Sequence, residues 1–85
     1  MKLQLRFFAS VREKLAVSSE VLECPADIKT AEDVRNLLRQ RGEVWSQVLA
    51  PERALRMAYN QVMVNGAVGV FDGGELAFFP PVTGG

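Results

Sequence analysis

Leu3, Leu5, Phe7 and Ala9 alternate with Lys2, Gln4, Arg6 and Phe8, the period-two pattern of a strand that gives one face to a core. Ser10 and Glu13 follow at capping-box spacing, which predicts a short helix through Leu15. Ser19 to Cys24 has the β-branched and apolar content of a second strand, with Val21 and Glu23 in alternation, and Pro25 ends it by removing a backbone donor. Thr30 and Asp33 repeat the capping spacing, and Glu32 and Asp33 suit the positive end of a helix. Val34, Leu37, Leu38 and Arg41 recur at helical spacing, Arg39 and Arg41 suit the negative end, and Gly42 is placed as a C-cap. A second helical segment is expected over 43–50, with Trp45, Val48 and Leu49 on one side and Pro51 as its limit.

Strand character returns from Leu55. The runs 55–59 and 62–64 flank Asn60-Gln61, while Asn65-Gly66 offers a rival turn, and the pattern alone does not choose between them. Asp72-Gly73-Gly74 marks a turn before a last strand over 75–79, in which alternation with Leu76 points Phe78 inward. Pro80-Pro81 then stops regular pairing and stiffens the exit. Two hairpin-like pairs separated by a helix predict an α+β domain: a mixed sheet with the helix across one face and the first and last strands side by side and parallel. This is the β-grasp, or ubiquitin-like, arrangement, expected over residues 1–79 with a flexible tail over 80–85.

Composition narrows the function. The chain has 85 residues, 48% of them hydrophobic and 24% charged, enough for one modest core and unlike a disordered adaptor. Ten Lys plus Arg against ten Asp plus Glu leave no general field for nucleic acid. Arg6 interrupts any apolar leader, and the longest uncharged run falls short of the ~20 apolar residues of a spanning helix, so neither nucleic acid nor membrane is expected as a partner and a cytoplasmic location is. Without His, and with Cys24 as the single cysteine, the commonest general base, a disulfide framework and a cysteine metal cage are all missing. No metal site is expected, and Cys24 reads as a buried structural thiol. Asp72 and Glu75 read as turn and strand-end residues, and Arg35, Arg39, Arg41, Arg53 and Arg56 as a solvated helix face and loop, with some of them as docking contacts on a second reading. Such a chain is expected to catalyse nothing alone.

One feature resists a purely structural explanation: the ending Phe78-Phe79-Pro80-Pro81-Val82-Thr83-Gly84-Gly85. Two glycines without side chains can thread a narrow channel. The six residues after Phe79 reach up to ~20 Å when extended, enough to enter another protein's active site. The stretch 57–85 contains no Lys or Arg, so a basic pocket on a partner would complement it. On this reading the α-carboxylate of Gly85 is the working group. A carboxylate is a poor electrophile and is activated as an acyl-adenylate with ATP. Attack by a sulfur donor then gives a thiocarboxylate, and attack by a lysine amine gives a protein tag.

The residues that decide between these outcomes also carry a resemblance. The run from Ala77 through Phe-Phe-Pro-Pro-Val-Thr to Gly84-Gly85, preceded by Asp72-Gly73 and Glu75, resembles the ending of the small, sulfur-carrying subunits of molybdopterin synthase. Phe7-Phe8-Ala9 with Val11-Arg12-Glu13, and Asn60-Gln61, extend the similarity over essentially the whole chain; Gly74 departs from the acidic residue often found there. The resemblance implies a β-grasp sulfur carrier whose Gly85 is adenylated by a ubiquitin-activating-like enzyme and converted to a thiocarboxylate. Its sulfur would then build the dithiolene of molybdopterin from cyclic pyranopterin monophosphate. It also implies a large-subunit partner that supplies the catalytic residues, two of each chain forming a heterotetramer, and no bound cofactor. Gly84 and Thr83 would thread the tail, and Phe8, Phe79, Pro80, Pro81 and Val82 would form the docking surface. A ubiquitin-like protein modifier and a thiamine-pathway sulfur carrier share the diglycine end and remain as alternatives.

Overall fold

The computed structural model describes residues 1–81; Val82, Thr83, Gly84 and Gly85, and the expectations attached to them, lie outside the described residues. Eight elements follow in order: β1 (Lys2–Phe7), α1 (Ala9–Leu15), β2 (Ser19–Glu23), α2 (Ala31–Arg39), α3 (Glu43–Val48), β3 (Arg56–Tyr59), β4 (Val62–Val64) and β5 (Glu75–Phe79). The strands form one five-stranded sheet in the order β2-β1-β5-β3-β4. β1 pairs parallel with β5, and the other neighbours are antiparallel. This is the β-grasp arrangement that the strand and helix order predicts.

β1 alternates as its sequence does, with Leu3, Leu5 and Phe7 buried and Lys2, Gln4 and Arg6 exposed. They pack with Val34 and Leu38 of α2, Leu49, Leu76 and Phe78 into one apolar cluster that includes the thiol of Cys24. Burial pushes the Cys24 thiol above its ordinary pKa, which fits an inert structural cysteine. Phe78 is fully buried, its ring stacked on Phe7 at 5.8 Å with a 13° interplanar angle, and Phe7 meets Trp45 edge-on at 5.8 Å.

The capping box of α2 forms as read: the Asp33 amide donates to the Thr30 hydroxyl oxygen, and the Asp33 carboxylate accepts from the Thr30 amide. The same carboxylate accepts from the Lys29 amide at 3.0 Å. Those backbone donors, Lys29 first, hold Asp33 below the usual carboxylate range.

Several local expectations are corrected. Ser10 and Glu13 do not cap α1. Phe8 is the N-cap residue, with extended backbone and no side-chain cap, because its amide is still bonded to the Phe78 carbonyl beside β5. Ala9, expected on the core face of β1, turns the chain at φ 52° and is exposed. Gly42 does not close α2, which ends at Arg39 with Gln40 as C-cap; Gly42, at φ 148°, begins α3 instead. Three of the arginines read as solvated are structural ties. Arg35 Nε donates to the Leu49 carbonyl at 2.6 Å, Arg35 Nη2 to Ala50 at 2.5 Å, and Arg39 Nε to Ser46 at 3.2 Å. They satisfy carbonyls that the short α3 leaves without helical partners. Desolvation pushes the half-buried Arg35 below its ordinary pKa. Arg41 binds Glu20 through two hydrogen bonds of 2.6 and 2.7 Å and lies 4.6 Å over the Trp45 ring, joining the end of α2 to β2 and α3.

The rival turns are both real and differ in role. Asn60 and Gln61, at φ 49° and 69°, make the β3–β4 hairpin, and Asn60 Oδ1 also accepts from the Glu75 amide at the start of β5. Asn65-Gly66 turns the chain back to α2, where the Gly66 carbonyl accepts from the Glu32 amide. Gly74 has a steric reason: a Cβ built there would overlap the Tyr59 hydroxyl and lie 2.6 Å from its Cζ. Tyr59 Oη needs that space to bond the Phe71 amide at 2.8 Å and the Phe71 carbonyl at 3.3 Å. Any side chain at 74, acidic or not, would have to displace the end of this tyrosine.

Two measurements check these local devices. Gly74→Ala is expected to destabilise the chain, and urea unfolding of Gly74→Ala, Tyr59→Ala and the double variant to show a compensating coupling of at least ~1 kcal/mol; additive losses would refute the clash. Asp33→Ala should cost stability only where the carboxylate is ionised. Because its folded pKa lies below the unfolded value, the benefit is complete above the unfolded pKa of ~3.9 and is lost as pH falls through the folded value. The two unfolding midpoints should therefore converge in acid, and a gap that is constant with pH would contradict the cap.

Candidate functional site

The candidate site is the root of the C-terminal tail, and its position follows from strand pairing. β5 is the middle strand, bonded to β1 on one side and β3 on the other, so the chain leaves the sheet from its centre. Alternation along β5 sends Leu76 and Phe78 into the core and puts Glu75, Ala77 and Phe79 on the opposite face. On β1 that same face carries Gln4, Arg6 and, one residue past the strand, Phe8. Phe8 is 39% exposed, and the Arg6 guanidinium lies 5.3 Å from its ring centre. The register that pairs Phe7 with Phe78 sets Phe8 beside Phe79, which is half-buried and paired with Arg56. Pro80 and Pro81, also half-buried, continue from this corner. The described part of the expected docking set, Phe8, Phe79, Pro80 and Pro81, therefore gathers at one end of one sheet face. Val82, Thr83, Gly84 and Gly85 are outside the described residues.

Sequence reasoning missed one group of residues here and did not place a second. The first continues the open face. Ala77 pairs with Ala58 and Ala58 with Met63, so two small residues form a shallow floor between Phe79 and a methionine that is 57% exposed. A signal existed in the opposite orientations of Val62 and Met63, but their faces depended on which turn closed the hairpin. The second group is cationic. A cleft of about 210 Å³ opens beneath the tail root between α1 and the 53–55 loop, and Pro80 and Pro81 line it together with Val11, Lys14, Arg53 and Leu55. The stretch 57–85 lacks Lys and Arg, yet the fold brings cations from other segments to its exit.

The rest of the chemistry inventory is small. Asp72 accepts from the Lys2 amide at 2.7 Å as a turn residue, and Glu75 lies 3.8 Å from Arg6. Among the described residues, no three His, Cys, Asp or Glu side chains are grouped to hold a metal ion, and no helix is long and apolar enough to cross a membrane. No buried side-chain nitrogen or oxygen among them lacks a hydrogen-bond partner. What this surface offers is shape, apolar contact and a central exit for the chain end.

Aromatic roles are separable by stability. Phe78→Ala, which empties a stacked core site, should cost about 3–5 kcal/mol. Phe8→Ala removes an exposed ring and one cation–π contact, and should cost no more than about 1 kcal/mol. Urea unfolding of the two variants tests this; equal losses would place Phe8 in the core.

Known proteins agree with the architecture and narrow its affiliation. The chain is 43% identical over 83 residues to the molybdopterin synthase sulfur carrier subunit of Haemophilus influenzae, covering 98% of this chain and 99% of that one. It is 39% identical, with the same coverage, to the protein of that name from Escherichia coli K12. Among solved structures, a putative molybdopterin converting factor subunit 1 from Pyrococcus furiosus superposes with a TM-score of 0.79 at 23% identity, covering 96% of this chain and 99% of that one. Another, from a complex of subunits 1 and 2 of the molybdopterin-converting factor of Helicobacter pylori, gives 0.68 at 21% identity over the whole of both chains. These two establish the shared fold. The ThiS family pattern matches residues 5–85, which include the open face, the tail root and the diglycine end, and the chain belongs to the ThiS family.

Proposed function

We propose that this chain is the sulfur carrier subunit of a molybdopterin synthase. The observation that carries the reading is its 43% identity, over essentially its full length, to a relative with that name. Support comes from the sheet: the chain leaves the central strand at the corner where Phe8 and Phe79 are presented, four residues before the diglycine in the sequence.

In this reading the Gly85 carboxylate attacks ATP in the site of a ubiquitin-activating-like enzyme, giving an acyl-adenylate and pyrophosphate. A sulfur donor displaces AMP and leaves a thiocarboxylate on Gly85. Gly84 and Thr83 pass through the channel of the large subunit, while Phe8, Phe79, Pro80, Pro81 and Val82 rest against its mouth. The thiocarboxylate sulfur bonds to a carbon of cyclic pyranopterin monophosphate and displaces the oxygen that carbon carried, as a phosphate-ester oxygen or as water. Hydrolysis of the acyl–sulfur bond then leaves the sulfur on the substrate and returns the Gly85 carboxylate. Two such deliveries make the dithiolene, in keeping with a heterotetramer of two small and two large chains in the cytoplasm. The chain contributes the sulfur and its delivery, and the large subunit contributes catalysis. It binds no cofactor of its own; ATP is consumed by the activating enzyme.

The intact mass of the C-terminal peptide, from cells with the loading pathway working, should be raised on Gly85 by the difference between sulfur and oxygen. One residue appended after Gly85 should abolish loading while the circular-dichroism spectrum stays folded. An appended chain that still supports molybdopterin synthesis would refute the carrier role, and isopeptide adducts through Gly85 in place of the thiocarboxylate would favour a protein modifier.

A further inference from the structure

The tail root is cationic, whereas the side chains of the tail carry no charge. Lys14 from α1 and Arg53 from the loop before β3 line the cleft in which Pro80 and Pro81 sit. Arg56 pairs with Phe79 on the adjoining sheet face, and Arg12 lines the neighbouring cleft with Phe8. All four are exposed, and none is in an ion pair among the described residues. Neither of their sequence neighbours Glu13 and Glu52 lines the cleft at Pro80 and Pro81. The other arginines of the chain are engaged: Arg35 and Arg39 on backbone carbonyls, Arg41 on Glu20, and Arg6 on Glu75 and Phe8. Lys14 and Arg53 thus flank the point where a proline-stiffened arm departs, with Arg56 and Arg12 nearby, Arg12 in a cleft that Glu75 also lines, and none of the four is in an ion pair among the described residues.

We infer that Lys14, Arg53, Arg56 and Arg12 form a cationic collar that docks on carboxylate side chains at the rim of the partner's tail channel. The inference rests on the carrier reading above and adds the chemistry of the surface that receives the tail. Charge complementarity supplies the class of partner group, and chain length supplies its place. Four residues after Pro81 span at most ~14 Å, so a phosphate or substrate anion reacting at Gly85 lies about that far beyond the collar when the tail is extended. The collar therefore meets the rim of the channel rather than its floor. A basic floor for the terminal carboxylate and an acidic rim for the collar together fix the direction of insertion. Opposite charges at a rim act chiefly on the rate of encounter and are screened by salt.

The test uses the full chain and the purified large subunit of a molybdopterin synthase. The unaltered chain is titrated first, because failure to form a complex there would bring down the carrier reading itself, and the collar with it. Lys14→Glu/Arg53→Glu is then compared with Lys2→Glu/Lys29→Glu, which makes the same change in net charge at the opposite end of the sheet, each confirmed folded by circular dichroism. The collar variant should associate at least ~10-fold more slowly at low salt and lose most of the salt dependence, while the distal variant retains both within about two-fold. Equal effects of the two variants would reduce the collar to net charge and overturn the inference. Faster or tighter binding by the collar variant would also overturn it, because Lys14 and Arg53 would then be holding the chain's own terminal carboxylate.

Discussion

The parallel pairing of β1 with β5 is the interaction on which the remaining structure depends. It brings the first and last strands together in the middle of the sheet and aligns Phe7 with Phe78, whose stacked rings anchor the core. Parallel neighbours cannot be joined by a tight turn, so the intervening chain must cross over, and α2 lies in that crossover. With β5 central, β3 and β4 can attach only on its other side, and the chain end must depart between two bonded strands. The point at which the chain leaves the sheet is therefore a consequence of the same pairing that closes the core.

A domain of this size has little apolar surface to bury, and the arginines of α2 compensate for the brevity of α3. That helix has no fully buried residue, and no side chain caps its first turn. Its last carbonyls are held by Arg35 and Arg39, while Leu49 just beyond it enters the core. Arg41 adds a tie to Glu20 on the far strand and rests on Trp45, so α2 both fills the core and fastens the segment that follows it. These same bonds engage three cations on carbonyls and a carboxylate, which sharpens the contrast with Lys14 and Arg53 beside Pro80 and Pro81.

What the sequence made legible was set by the range of each interaction. The Thr30–Asp33 cap spans three residues, and the alternation of β1 is read off one strand, so both were visible. Phe78 as the inward aromatic followed from a two-residue period. The misread features depend on remote partners. Ser10 had the correct spacing for a cap, but the strand bond from Phe8 to Phe78 set where the helix could begin. Arg35 is a surface helix residue until Leu49 and Ala50 are folded against it. Asn60-Gln61 and Asn65-Gly66 are equally good turns locally, and the contact of Asn60 with Glu75 separates their roles. At the candidate site, the diglycine end and Phe8 could be singled out from their own positions. The alanine floor with Met63 could not, and the arginines suspected as docking contacts could not be told from the structural ones, since both groups are assembled from strands and loops distant in the chain.

The central place of β5 also has a mechanical side. A force applied to the chain end runs along β5, and that strand is bonded on both flanks, parallel to β1 and antiparallel to β3. Such a load meets the hydrogen bonds of both ladders in shear, many at once, whereas a tail attached to an edge strand could be peeled away one bond at a time. The buried Phe78 ring sits directly upstream as a further stop. A machine that grips and draws on this end would find the domain hard to unravel.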